Sequence, residues 1–166
     1  MLFRSTGSWV MGGSGSSVTC AGAVLSGNRL SLTNVRASLV PGAPGGPGFV
    51  FGGTSVLVGD TTAGMTVTID AGSTLTASSA SAASGFTNDG TIVFNDDPIP
   101  ASAATLTVAS GTLLNRGTLR SLVGGQRRNV YGWLEYRAAS ALITAPRLEN
   151  RGTIELGADY KDRKST

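Results

Sequence analysis

The sequence contains no histidine and a single cysteine, Cys20, among its 166 residues. With one cysteine the chain cannot form an internal disulfide or a cysteine-based zinc site. Without histidine it lacks imidazole metal sites and the common serine–histidine triads. Cys20 lies in the alternating stretch SVTCAGAVL, which predicts a small core residue rather than a nucleophile. We therefore expect neither a metal site nor a cofactor.

Charge and long apolar runs are also scarce. Charged residues make up 14% of the chain, and no stretch approaches the roughly 20 apolar residues that cross a bilayer. The net charge of +3 comes from residues 116–166, which carry +5, whereas residues 1–115 carry −2. No nucleic-acid-binding motif accompanies these charges. We expect no membrane span and no nucleic-acid partner.

What the chain has in abundance is glycine, 24 residues, together with serine, threonine and alanine. Almost every window long enough for a helix contains glycine, proline or clustered hydroxyl residues, which disfavour a helix interior. Short turn residues mixed with β-branched residues instead favour many brief strands. This composition predicts an all-β protein.

One short pattern occurs three times: FTNDGTI at 86–92, LLNRGTL at 113–119 and LENRGTI at 148–154. The shared asparagines and glycines are predicted to lie at corners between strands, where a positive φ is tolerated and asparagine amides can bond from coil to coil. These corner positions are Asn88, Gly90, Asn115, Gly117, Asn150 and Gly152. A looser copy, LTNVRASL, contains Asn34. This residue precedes Asn88 by 54 residues, which is twice the 27 residues that separate Asn88 from Asn115.

A second pattern joins two alternating segments through a glycine, in VTIDAGSTLT at 67–76 and LTVASGTLLN at 106–115, with VTCAGAVLS at 18–26 as a looser relative. Two strands joined by a sharp corner fit it best. Together the patterns predict a right-handed parallel β-helix (β-solenoid) in one domain, with irregular corner loops such as 41–48 and 94–103. A turn in a β-sandwich is the alternative explanation of the Asn-x-Gly-Thr motif.

The strings FTNDGTIVF, LTVASGTLLNRGTLRSL and LENRGTIEL resemble the repeat regions of large exported bacterial proteins of the filamentous-haemagglutinin and autotransporter-passenger type. The resemblance covers about residues 65–156. It implies a β-helix that is exported and acts as a stalk or adhesive surface, outside the cell or on its surface. Because the first residues make a poor signal peptide, we expect the export signal to lie outside this chain.

The sequence divides into loosely repetitive coils at 1–60, solenoid repeats at 61–156 with an insertion at about 125–146, and a polar tail at 157–166. Aromatic and basic residues alternate in the insertion, and such residues stack on sugars or hold acidic groups. The predicted ligand-binding residues are Arg127, Arg128, Tyr131, Trp133, Tyr136 and Arg137. The alternative is that these aromatics cap the apolar core under the arginine stems.

Carboxylates and threonines are the remaining side chains that could carry a function. Asp96 and Asp97 are adjacent, so a strand would point them to opposite faces, and Asp60, Asp70 and Asp89 are scattered. We therefore expect no enzyme, although β-helices also include polysaccharide lyases and hydrolases. Outward threonines at 66–68, 74–76 and 105–107 suggest an ice-binding face, or are simply good strand residues.

These observations predict a non-enzymatic structural or adhesive module of an exported bacterial surface protein. The alternatives are a carbohydrate-binding or polysaccharide-active β-helix, an ice-binding solenoid and an inactive repeat fragment. The expected partners are glycans or host or cell-surface molecules, and further copies through the solenoid ends, because a solenoid cut within its array exposes strand edges.

Overall fold

The computed structural model describes residues 2–5, 9–20, 24–27, 29–40, 48–80, 84–95, 103–121, 127–128, 134–135 and 141–156. Within these ranges every regular element is a strand. In chain order the strands are β1 (Leu2–Ser5), β2 (Trp9–Cys20), β3 (Val24–Gly27), β4 (Leu30–Leu39), β5 (Phe49–Gly52), β6 (Thr54–Val58), β7 (Thr66–Ile69), β8 (Thr74–Ser78), β9 (Phe86–Asn88), β10 (Thr91–Phe94), β11 (Ala104–Thr107), β12 (Thr112–Asn115), β13 (Thr118–Ser121), β14 (Arg127–Arg128), β15 (Leu134–Glu135), β16 (Ala141–Thr144), β17 (Arg147–Asn150) and β18 (Thr153–Leu156).

Most strands stack in three parallel columns, so the predicted parallel β-solenoid is confirmed. The first column contains the N-terminal halves of β2 and β4, then β5, β7, β10, β13 and β18. The second contains the C-terminal halves of β2 and β4, then β6, β8, β11 and β16. The third contains β9, β12 and β17. Each passage through the columns is one coil, and equivalent residues of successive coils occupy successive rungs.

The core is a stack of inward side chains, because side chains alternate across a strand with a period of two. In the first column Val67, Ile92 and Leu119 occupy successive rungs and are at most 1% exposed. In the second column Leu75 and Leu106 are paired and fully buried. Cys20 belongs to the same core, as predicted, and burial raises the pKa of its thiol.

The second sequence pattern does form strand–corner–strand units, but its two clear copies lie at different corners of the coil. The segment 67–76 passes from β7 in the first column to β8 in the second. The segment 106–115 passes from β11 in the second column to β12 in the third. Their glycines, Gly72 and Gly111, do have positive φ, at 69° and 77°. The two corners therefore share a left-handed glycine, although they are not stacked on each other.

The described parts of residues 2–60 are more regular than their sequence suggests. β2 pairs with β4 over both columns, with one irregularity between Gly12 and Ser16. The regular coil also resumes at Ala141, because β16 pairs in register with β11 in the second column. The connection from β13 to β16 contains a short antiparallel pair, β14 with β15. Among the described residues no helix is long and apolar enough to cross a membrane.

Candidate functional site

The aromatic and basic segment predicted to bind a ligand lies in the connection between β13 and β16. Arg127 and Arg128 form β14, opposite Glu135 and Leu134 of β15. Tyr131, Trp133, Tyr136 and Arg137 lie outside the described residues. The structure thus places two of the six positions on a short antiparallel strand pair, and ligand binding by this segment stays a prediction.

The asparagines of the repeated motif form a ladder through the third column. The Asn88 amide nitrogen donates to the side-chain oxygen of Asn115 at 2.8 Å, and that of Asn115 donates to Asn150 at 2.6 Å. Asn88 and Asn115 are fully buried. Each also donates to a backbone carbonyl of the next coil, that of Thr118 at 3.2 Å and that of Thr153 at 3.1 Å. The predicted coil-to-coil amide bonding is confirmed.

The ladder begins at a residue that the sequence patterns did not reveal. Thr61 forms an isolated parallel bridge with Asn88, and its hydroxyl donates to the Asn88 side-chain oxygen at 2.6 Å. The same hydroxyl accepts the backbone N–H of Gly90 at 3.2 Å. Thr61 lies 27 residues before Asn88, which is also the spacing from Asn88 to Asn115. The period alone was therefore the signal that could have identified it.

Asn34, the looser motif copy, does not belong to this ladder. It lies at the bend of β4 between the first and second columns, with a positive φ of 57°. Its side-chain oxygen accepts the backbone N–H of Thr54 at 2.9 Å. The interpretation of Asn34 as an equivalent corner was wrong, because asparagine suits any bend that needs a left-handed residue or a side-chain acceptor.

The glycines of the motif are required for a different reason from the one predicted. Gly90, Gly117 and Gly152 are absent from the positive-φ residues of the described chain. A Cβ at Gly117 would overlap the Gly90 carbonyl oxygen, and one at Gly152 would overlap that of Gly117. The coils stack too closely here for a side chain, so close backbone approach rather than positive φ selects glycine.

Charged pairs follow the outer side of the same corner. The Arg116 guanidinium donates to both Asp89 carboxylate oxygens, at 2.6 and 2.5 Å, across one coil spacing. This bond and the carboxylate charge raise the pKa of Arg116 above its ordinary value. In the next coil, Arg151 bonds Glu149 of its own coil at 2.7 Å. Along this row of successive coils, the residue is negative at Asp89 and positive at Arg116 and Arg151.

An open groove of about 500 Å³ runs along the outer face of the third column. Hydroxyls, backbone and two carboxylates line it, including Asp60, Ser79, Thr87, Thr112 and Glu149. Asp60 is a structural acceptor here, since it receives the Thr87 backbone N–H at 2.7 Å and the Ser79 hydroxyl at 3.0 Å. Such a lining suits a polar ligand better than an apolar one.

The backbones of the two acidic residues that line this groove lie three rungs apart. The Asp60 side chain accepts from Thr87, and Glu149 lies two rungs beyond Thr87 in the third column. Asp60 lies one rung from Thr87 in the opposite direction. The two residues are therefore three rungs apart, which is roughly 14 Å between their backbones at about 4.8 Å per rung. Asp96 and Asp97 fall outside the described residues, which contain no group of three metal-ligating side chains.

Threonines form straight rows on the outer faces. In the second column the TLT segments at 74–76 and 105–107 are stacked residue for residue, and Thr54 and Thr144 extend the two rows. In the first column Thr66 and the three threonines of the Asn-x-Gly-Thr motif, Thr91, Thr118 and Thr153, form another row. Thr68 differs, because it is 4% exposed and its hydroxyl has no hydrogen-bond partner in the described part of the chain.

Comparison with protein-family models, with curated proteins and with solved structures found no match to this chain.

Proposed function

We propose that the chain is a non-enzymatic structural module, a stiff solenoid segment that presents its outer faces on an exported bacterial surface protein. The observation that carries this proposal is the coil-to-coil asparagine ladder, which links successive coils through hydrogen bonds of 2.6–2.8 Å between buried or partly buried amides. A stack held together in this way extends in one direction and offers long, regular faces, as a stalk or adhesive surface requires. The repeat motif on which the bacterial resemblance rests supplies the ladder residues.

Surface exposure is tested on cells of the source organism. An antiserum raised against the purified chain should label intact cells, and brief protease treatment of intact cells should remove that label. A cytoplasmic protein of the same organism serves as the control that becomes labelled only after permeabilisation. Labelling of the chain only after permeabilisation would contradict export.

Adhesion is tested with beads coated with the folded chain on immobilised glycans and matrix proteins. We expect retention that saturates with ligand density and is lost when the beads carry heat-unfolded chain. Retention equal to that of beads coated with an unrelated β-protein would contradict an adhesive role, and the structural role would then stand alone.

Carbohydrate binding is the second candidate, and the polar groove on the third column favours it. A glycan array separates the two places where a sugar could bind. Loss of binding in Trp133→Ala and Arg128→Ala would assign it to the predicted segment, whereas loss in Glu149→Gln alone would assign it to the groove. An array without any bound glycan would remove this candidate.

Ice binding is favoured by one further observation, the stacking of the two TLT segments in register. Unequal coil lengths do not disturb this row, because register is set within the column. Thermal hysteresis that disappears in the double variant Thr76→Lys, Thr107→Lys would support it. A freezing point equal to the melting point at millimolar protein would exclude it.

A further inference from the structure

Among the described residues, the last coil lacks the covering coil that lies over the coil before it. Leu148 occupies the rung after Leu113 in the third column. Leu148 is 45% exposed, whereas Leu113 is 0% exposed. Ile154 occupies the rung after Leu119 in the first column. Ile154 is 39% exposed, whereas Leu119 is 1% exposed. Both face inward, so they are uncovered at the end of the stack rather than on its sides.

The backbone of this coil is open on the same side. Within the described residues, β17 pairs only with β12, and β18 pairs only with β13. Each therefore presents one unpaired edge of N–H and C=O groups next to the uncovered side chains. Such an edge is a template for an added strand.

The asparagine ladder is incomplete at this edge. Asn88 and Asn115 each donate to an asparagine and to a threonine carbonyl of the following coil. In the described part of the chain, Asn150 instead donates to the carbonyl of Gly152 in its own coil, at 3.2 Å. The side-chain oxygen of an incoming asparagine would accept from the Asn150 amide. It would do so as the oxygen of Asn115 accepts from Asn88, and as that of Asn150 accepts from Asn115.

The charge of Arg151 indicates which residue should follow the incoming asparagine. Arg151 occupies the rung after Arg116, and its side chain is 66% exposed. Arg116 pairs with an aspartate one coil away, whereas Arg151 has only Glu149 of its own coil among the described residues. An acidic residue one coil beyond Arg151 would restore an ion pair between coils.

We propose that the C-terminal coil face, formed by Leu148, Asn150, Arg151 and Ile154, is a docking site for an extended strand of the pattern apolar-x-Asn-acidic-Gly-Thr-aliphatic. The chain's own segment FTNDGTI at 86–92 is an instance of this pattern. Docking continues the established interface between successive coils and adds strands to the third and first columns. This inference rests on the last coil alone and is independent of export or adhesion.

The test uses the intact chain and a fluorescent peptide that copies residues 85–93, followed by fluorescence anisotropy. We expect saturable binding, weakened about tenfold when alanine replaces the asparagine of the peptide, since one hydrogen bond of the ladder is then lost. The Asn150→Ala chain should no longer distinguish the two peptides. Ile154→Lys should abolish binding, and circular dichroism melts confirm that both variants fold.

Charge selectivity supplies a second readout. The intact chain should prefer the aspartate peptide to a matched peptide with lysine in its place, and Arg151→Glu should reverse that preference. The absence of saturable binding would overturn the proposal, as would equal binding of all peptides or a preference unchanged by Arg151→Glu. A dimer lost in Ile154→Lys, without any peptide binding, would overturn it in favour of a second copy of the chain.

Discussion

An asparagine side chain carries a donor and an acceptor at its two ends, which lets one residue type repeat along the third column. Asn115 accepts from the coil below through its oxygen and donates to the coil above through its nitrogen. Aspartate has no donor, and leucine has neither group. Because buried amides without partners are costly, each asparagine also fixes the position of its neighbours.

Replacing the middle ladder residue should destabilise the chain strongly. Asn115→Ala removes the acceptor of one Asn88 N–H in a buried site and leaves the Asn150 oxygen without its donor, so we expect a loss of about 2–3 kcal/mol in the free energy of unfolding. Asn150→Ala is the comparison: it removes one ladder bond instead of two, at the exposed end where water can take the place of the lost oxygen, so the expected loss is smaller, about 1 kcal/mol. Urea unfolding followed by circular dichroism measures both, and equal losses would contradict the ladder's role.

Alanine at a stacked glycine should be more harmful than its single methyl group suggests. In Gly117→Ala the new Cβ meets the Gly90 carbonyl, and forcing extra volume into such contacts typically costs about 1–3 kcal/mol. Gly12 is the control, because its nearest foreign atom would lie 3.7 Å from an added Cβ. We expect thermal unfolding to shift downwards for Gly117→Ala and to change little for Gly12→Ala.

The buried thiol of Cys20 should react slowly while the chain is folded. Burial raises its pKa from the ordinary value of 9.0, so less thiolate is present than in the unfolded chain at any alkaline pH. The unfolded thiol ionises first, so stability should fall as pH rises through 9 towards the higher folded value. Iodoacetamide labelling at pH 8.5, with and without urea, measures the protection, and equal rates would contradict burial.

Of the residue-level features, the ladder asparagines could be predicted because they recur with the same neighbours. Thr61 could not be found by residue identity, because a hydroxyl replaces the amide where the ladder starts. The glycines were found for the wrong physical reason. A sequence shows where a side chain is absent but does not show whether backbone conformation or a neighbouring coil requires the absence.

At the scale of elements, the unit of stability is the column rather than the single strand. Strands of three to five residues are too short to be stable alone, and each is ordered by the strands above and below it. An inward residue is buried chiefly by its equivalents in the neighbouring coils. Its contribution should therefore depend on its rung as well as on its type.

Leu113 and Leu148 offer a direct comparison, since they occupy successive rungs of the third column. Leu113→Ala should cost about 2–5 kcal/mol, as for fully buried leucines elsewhere. Leu148→Ala should cost clearly less, because the side chain is 45% exposed at the end of the stack. Chemical denaturation of the two variants checks this, and a larger loss for Leu148→Ala would show that the end of the column is covered.

The sequence predicted the strands and their inward residues better than it predicted which strands share a column. Ile92, Phe94 and Leu119 are buried, because the alternation of apolar and polar residues that places them inward is a local property of each strand. Equivalence between coils depends on connections of different length, so the resemblance between 67–76 and 106–115 was misleading. Register had to come from the structure.

For the whole molecule, the stack is nearly one-dimensional, and its two ends are not equivalent to its middle. Interior coils receive hydrogen bonds and apolar contacts from both sides, whereas the last described coil receives them from one. Local opening should therefore begin at the end and progress inwards.

Hydrogen–deuterium exchange should reveal this gradient. Amides of β17 and β18 should exchange faster than those of β9, β10 and β12, which lie between two coils. Mass spectrometry of peptides from the two regions measures the difference, and the full protection of β9 and β10 should match the global free energy of unfolding. Uniform protection along the chain would contradict the proposed gradient.

The lengths of the coils vary while the ladder does not. Asn88 and Asn115 are separated by 27 residues and Asn115 and Asn150 by 35, yet their bonds measure 2.8 and 2.6 Å. The longer connection contains the β14–β15 hairpin and leaves the rungs in register. In evolutionary terms, the stack and its loops are free to vary separately. Duplication or deletion of one coil preserves the bonding partners on both sides, so a gene of this kind can change the length of its product in whole-coil steps.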